Sequence, residues 1–126
     1  MVLERGDLLS SDEDTRRFAI MEASRMMDSS QLPQLLGLLK SDTYANRRHI
    51  ARALGRMGGI EAVQRLLALL DIEEGLILGD VARALGQLRV TAAIPRLRHL
   101  AADRLEWVRG SAQWALSQLE ESEPAC

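Results

Sequence analysis

The amino-acid sequence predicts an all-α fold, an α-solenoid of about three and a half helical hairpins, and three observations predict it. The first is internal repetition: "ARALG" occurs at 51–55 and again at 82–86, and sliding the chain along itself by 31 residues aligns most of its length. The second is helical spacing within the repeat. Ile50, Val81 and Ala112 form one column, Ala53, Ala84 and Ala115 another, Leu54, Leu85 and Leu116 a third, and Met57, Leu88 and Leu119 a fourth. Intervals of about three, four and seven residues mark the buried face of a helix. The third is composition, 47% hydrophobic but only 3% aromatic. Burial therefore falls to Leu, Ala, Ile, Val and Met side chains, which suit closely packed helices.

In chain order, residues 1–10 read as an N-terminal extension, followed by a first unit over 11–40. Its first helix, 12–27, opens on "SSDEDT", whose acids suit the positive end of a helix and in which Ser11 to Asp14 approximates a capping box. Its second helix, 31–40, carries Pro33 near the start, where a missing N–H costs little. The second unit, 41–71, holds helices 43–57 and 60–71, with "SDT" as the cap and "GRMGG" as the turn between them. The third, 72–102, holds helices 73–88 and 91–101, the latter with Pro95 two periods after Pro33. Gly75 and Gly79 fall inside its first helix, where each costs about 0.5–1 kcal/mol relative to alanine, which marks this unit as bent or specialised. A half unit, helix 103–121, and a tail, 122–126, complete a single repeat domain over 11–121. The second helices share their own columns: Leu35, Leu66 and Leu97, then Leu38, Leu69 and Leu100. Glu22 stands where other units have Ala53, Ala84 and Ala115, as expected of a terminal unit that meets solvent.

The segments "ARALGRMGGIEAVQRLLALL" and "ARALGQLRVTAAIPRLRHL" resemble the short HEAT-like repeats of the phycobilisome-lyase type, in which a helix ending Ala-Leu-Gly leads through a turn into one opening Glu-Ala-Val-Pro. The resemblance covers about residues 11–120 and implies a right-handed α-solenoid (α-α superhelix) of HEAT-like hairpins. It also implies Val-Arg early in each first helix. Val108-Arg109 fits, Asn46-Arg47 and Thr15-Arg16 half fit, and Ile77-Leu78 loses the arginine. The aromatic and Thr-Pro-Leu-His signatures of the other helical repeats of similar length are missing.

Charge and motif content narrow the function. Net charge is −2, with seven acids against four bases over 1–30, six against ten over 31–102, and five against two over 103–126. Lys40 is the sole lysine among sixteen basic residues, and arginine favours organised, bidentate contacts with carboxylates. The charge balance argues against nucleic acid as a partner, since a phosphate-tracking surface needs a clear positive excess. The apolar runs "QLPQLLGLL" and "AVQRLLALL" are too short to cross a bilayer, and "MVLERGDLLSSDED" is no secretory signal. A cytoplasmic protein is expected. Cys126, the only cysteine, excludes an internal disulfide or a multi-cysteine metal site. His49 and His99 lack the adjacent glutamates of the HEAT-repeat deoxyhypusine hydroxylases, and no nucleophile elbow or phosphate loop is present. The expectation is therefore a protein that is not an enzyme and has no cofactor and no metal.

Candidate residues fall in two groups. In related solenoids the second helices line the concave surface, so the resemblance nominates Gln34, Arg65 and Arg96, with Arg98 and His99 beside them. The first helices carry an arginine row, Arg48, Arg52, Arg56 and Arg83, which reads as an exposed face opposite the apolar one. Trp107 and Trp114, seven apart on the last helix, share a face. They form either an interface, where Trp commonly dominates binding energy, or a cover for the end of the stack. The leading expectation is an interaction scaffold for a protein partner, with an acidic partner favoured and a homodimer through the C-terminal helix as a further expectation. The alternative, implied by the resemblance alone, is a subunit of a bilin lyase-like factor that attaches or removes chromophores of phycobiliproteins.

Overall fold

A computed structural model describes residues 7–120. Seven α-helices, and no strands, occur among the described residues: α1 (Glu13–Met26), α2 (Leu32–Ser41), α3 (Tyr44–Met57), α4 (Ile60–Ile72), α5 (Ile77–Gln87), α6 (Ile94–Leu100) and α7 (Glu106–Glu120). The tail 122–126, with Cys126, lies outside the described residues, as does most of the expected N-terminal extension. Asp7–Leu9 form a short 3-10 turn whose Leu8 is buried against α1 and α2.

Local sequence sets the helix ends. Asp12, rather than Ser11, caps α1 by accepting the Thr15 N–H at 2.8 Å, and Thr43 caps α3 through the Asn46 N–H at 3.3 Å. Met27, Gly58 and Arg89, one period apart, all adopt positive φ (54°, 72° and 57°) just past α1, α3 and α5; at Met27 and Arg89 the turn brings N–H groups back onto the helix's last carbonyls, Ser24 and Ala23 in the first case and Gly86 and Leu85 in the second. Only the middle one is glycine.

The largest departure from expectation is α5, which starts at Ile77 and not at 73. Gly75, at φ 77°, turns left-handed and breaks the helical run. The Tyr44 hydroxyl accepts the Ile77 N–H at 2.9 Å and donates to the Glu74 carbonyl at 3.4 Å, holding the new helix start against α3. The last helix likewise starts at Glu106 and not at 103, because Asp103 accepts the Leu105 N–H at 2.8 Å in a turn.

Packing follows the columns. Ile50, Val81 and Ala112 are fully buried, as are Leu54, Leu85, Leu35, Leu66 and Leu97, and each large aliphatic side chain so placed is worth about 1.5–3 kcal/mol. Helices α1, α3, α5 and α7 lie side by side, while α2, α4 and α6 pack each against its own or the next hairpin and hardly against one another. The close approach of the first layer needs glycine: a Cβ on Gly55 would stand 2.8 Å from the Ala84 Cα, and one on Gly86 2.7 Å from the Ala115 Cα. A stack tighter in one layer than in the other curves with the tight layer inside. The inner face is thus built from α1, α3, α5 and α7, and the expectation that the second helices line it is corrected.

Arginines pin successive units together. Arg16 pairs bidentately with Asp42 (2.9 and 2.8 Å) and also donates to the Ser10 carbonyl at 3.0 Å. Arg47, one period on, pairs with Glu73 and donates to the Leu39 carbonyl at 2.6 Å, and Arg109 reaches the Asp103 carbonyl at 3.1 Å. Burial alone would raise the Asp42 carboxyl; hydrogen bonds from Arg16, the Thr43 N–H and Asn46, with the charge of Arg16, outweigh it and hold the group below the usual carboxylate range. Leu78, which replaces the arginine in the third unit, is buried.

Candidate functional site

The inner face carries two adjoining grooves across the stack. One, of about 220 Å³, is lined by Arg52, Arg56, Asp80, Arg83, Ala84, Gln87 and Trp107. The other, of about 230 Å³, is lined by Met21, Ser24, Arg25, His49, Arg52 and Arg56. Arg52 and Arg56, one turn apart on α3, belong to both and make the grooves continuous.

The chemistry of the first groove is set by one buried carboxylate. Asp80, in the first turn of α5, is fully enclosed, and it accepts Arg48 Nε at 2.6 Å and Arg52 Nε at 2.9 Å. Two guanidinium groups share its single charge. Arg48 is therefore half-buried and internally paired, which corrects its place in an exposed row. Arg52 keeps its outer N–H groups in water, its side chain being 51% exposed. Arg56 is exposed and has no hydrogen-bond or ion-pair partner among the described residues.

Arg83 behaves differently. Its guanidinium lies 4.4 Å from the centre of the Trp114 ring and 5.8 Å from that of Trp107, on the electron-rich faces of both indoles. It is half-buried, again against expectation. The tryptophans are neither a free interface pair nor a plain end cover. Trp114, expected to point outward, packs against the core, and Trp107 retains 36% exposure. Gly79 makes this possible, since a Cβ there would stand 2.2 Å from the Trp107 Nε1. The glycine in mid-helix is thus a seat for the ring. On the neighbouring groove, burial first, and then the charges of Arg52 and Arg17, push the His49 imidazole below its ordinary pKa, so it adds no charge at neutral pH.

The second-helix candidates are not brought together. Gln34 lies on α2, Arg65 on α4, and Arg96, Arg98 and His99 on α6, all in the outer layer. Arg96 is already engaged, with Asp71 and with the Leu70 carbonyl at 3.1 Å, and Arg98 stands 3.9 Å from Glu120. On α7 the exposed positions other than Trp107 are Glu106, Gly110, Gln113, Ser117 and Glu120, a surface with little to offer the dimer expected through that helix. Sequence reasoning missed Asp80 and Gln87. The available signal was an acid inside the apolar run "LILGDVARAL", 32 and 28 residues after Arg48 and Arg52.

No helix among the described residues is long and apolar enough to cross a membrane. No match is found among curated proteins. Among solved structures, the chain is similar to the complex of CpcE and CpcF of phycocyanin lyase from Nostoc sp. PCC7120, at 21% identity and a TM-score of 0.57. The match covers 96% of this chain and 66% of that one, so this chain spans just under two thirds of its neighbour's length. The PBS lyase HEAT-like repeat matches residues 77–103. These two findings overturn the expectation that the protein is not an enzyme: the matched repeat is described as that of PBS lyase, and the similar structure is that of a phycocyanin lyase complex. HEAT repeats match residues 4–78, more than half of the sequence, and the chain belongs to the HEAT repeat family.

Proposed function

We propose that the chain is one subunit of a lyase-type enzyme that attaches or removes the chromophore of a phycobiliprotein, and that it acts through its inner face together with a second, different chain. The observation that carries this reading is an overlap. Asp80, Arg83, Ala84 and Gln87, four of the seven residues lining the first groove, fall within the segment that matches the PBS lyase HEAT-like repeat. The likeness to a complex of two phycocyanin lyase subunits supports pairing with another chain. The polar exposed surface of α7 favours a different partner over a second copy docked there. In this reading the subunit contributes a fixed cationic surface with one flat aromatic wall, and the chemical step belongs to the assembled pair.

The test combines the purified chain, a bilin and a phycobiliprotein lacking its chromophore, with and without a paired lyase subunit. The expected outcome is a shift in bilin absorbance and covalent chromophore on the acceptor only when both subunits are present. An unchanged bilin spectrum in every combination overturns the reading.

A further inference from the structure

We infer that the groove between α3, α5 and α7 docks an acidic segment of a protein partner, with Arg52, Arg56 and Arg83 receiving carboxylates one helical turn apart. The inference takes from the preceding reading only that the inner face is the engaged surface.

Charge is the first argument. Arg52, Arg56 and Arg83 line the groove, and the one carboxylate among its lining residues, Asp80, is fully enclosed and shared by Arg52 and the half-buried Arg48. The groove therefore presents a surplus of positive charge in a chain whose net charge is −2. Guanidinium groups held this close repel one another, and an external anion relieves that repulsion.

The second argument is the comparison of equivalent positions. Arg83 follows Arg52 by one period, and Ser111 follows Asp80 by one period. Where Arg52 meets a carboxylate, the corresponding position beside Arg83 is a serine. Ser111 is buried, and its Oγ has no hydrogen-bond partner among the described residues. Arg83 is thus oriented by two indole faces, which fix the guanidinium plane without neutralising it. That arrangement leaves its N–H groups available for a bidentate carboxylate.

Size and spacing select the occupant. A groove of about 220 Å³ is smaller than the roughly 300–1,000 Å³ of pockets that enclose a small organic ligand, but it admits protruding side chains. It opens into the second groove, whose Arg25 is paired with Glu22, so among the described lining residues the cations with N–H groups to offer are Arg56 and Arg83, together with Arg52 through the outer N–H groups that its pairing with Asp80 leaves in water. Arg52 and Arg56 lie one turn apart on α3, matching acids four residues apart on a partner helix. A nucleic-acid backbone would need the positive charge to continue, whereas the rest of the lining is Asp80, Ala84, Gln87 and Trp107.

The experiment titrates the full chain with a helical peptide carrying glutamate pairs four residues apart, following the fluorescence of Trp107 and Trp114. A glutamine version of the peptide and citrate serve as the other arms. The glutamate peptide is expected to bind and to weaken with added salt. Arg56→Gln and Arg83→Gln are each expected to lose about tenfold in affinity with unchanged circular dichroism; Arg56 has no partner, so its replacement leaves the fold intact. Absence of glutamate-peptide binding, equal binding of the glutamine peptide, or an Arg56→Gln affinity equal to the parent's each overturns the inference. Citrate binding as tightly as the peptide, with the same loss in both variants, also overturns it by assigning the groove to a small carboxylate. Loss of chromophore transfer with peptide binding retained removes the lyase reading alone, and the reverse result removes the docking inference alone.

Discussion

The seam between α3 and α5 and the seam between α5 and α7 are built from equivalent positions of one repeat, yet they handle charge in opposite ways. At the first, Arg48 and Arg52 converge on the enclosed Asp80. At the second, Gly79 stands in place of Arg48, Ser111 in place of Asp80, and Arg83 lies against Trp107 and Trp114. The backbone approach is the same at both, because Gly55 and Gly86 admit Ala84 and Ala115 at nearly the same distance. The period therefore transmits backbone spacing faithfully while leaving the polar columns free to change. One seam spends its arginines on internal cohesion, and the other keeps a cation facing the groove.

The largest expected effect tests the first seam. Asp80→Ala strands two guanidinium groups beside an apolar interface. Removing one partner of a buried pair costs about 3–5 kcal/mol, and since both arginines reach water from here the expected loss is about 2–3 kcal/mol. Urea unfolding of the full chain measures it. A loss below about 0.5 kcal/mol, within the range of ordinary surface substitutions, would mean that Asp80 does not hold the seam.

A smaller effect separates the two glycines of α5. A Cβ on Gly79 would come closer to its neighbour (2.2 Å, Trp107 Nε1) than one on Gly86 (2.7 Å, Ala115 Cα). Distance alone ranks Gly79→Ala as the worse change, but the obstacle at Gly86 is backbone and the one at Gly79 is a part-exposed ring that can swing aside. Overpacking against backbone costs about 1–3 kcal/mol, offset by the roughly 0.5–1 kcal/mol that alanine gains in a helix. Gly86→Ala is expected to destabilise by about 1–2 kcal/mol, and Gly79→Ala by less than about 1 kcal/mol with a red-shifted tryptophan emission. The reverse order, or an unshifted emission for Gly79→Ala, would show that the indole does not rest on Gly79.

Most of this architecture was legible in the sequence, because burial follows columns and columns survive in a repeat. Ile50, Val81, Leu54 and Leu85 could be placed in the core from spacing alone. Two things were not legible. Which layer is inside depends on how closely neighbouring helices approach, and the glycine of "ALG" signals that approach without saying which way the stack bends. The arginine rows look alike in one dimension, since the partner that neutralises Arg48 and Arg52 lies about thirty residues away on another helix. Gly79 read as a propensity defect because the ring it seats comes from position 107. Periodicity reports which face of a helix is buried; it does not report what polar groups meet across the interface.

The smallest effect has the opposite sign and falls on the residue equivalent to Asp80. Ser111 is buried with an Oγ that has no hydrogen-bond partner among the described residues, and an unsatisfied buried hydroxyl carries a desolvation cost of about 1–3 kcal/mol. Alanine removes that cost, suits the helix interior better, and matches the neighbouring Ala112 and Ala115 in size class. Part of the gain is lost as the contacts of one atom disappear, so Ser111→Ala is expected to stabilise the chain by about 0.5–1 kcal/mol. The measurement is again the urea midpoint, set beside that of Asp80→Ala. A destabilised Ser111→Ala would mean that the hydroxyl has a polar partner at the second seam, and the contrast between a paired and an unpaired seam would then be lost. A stabilised one leaves Arg83 as the inner-face arginine whose seam holds no carboxylate for it.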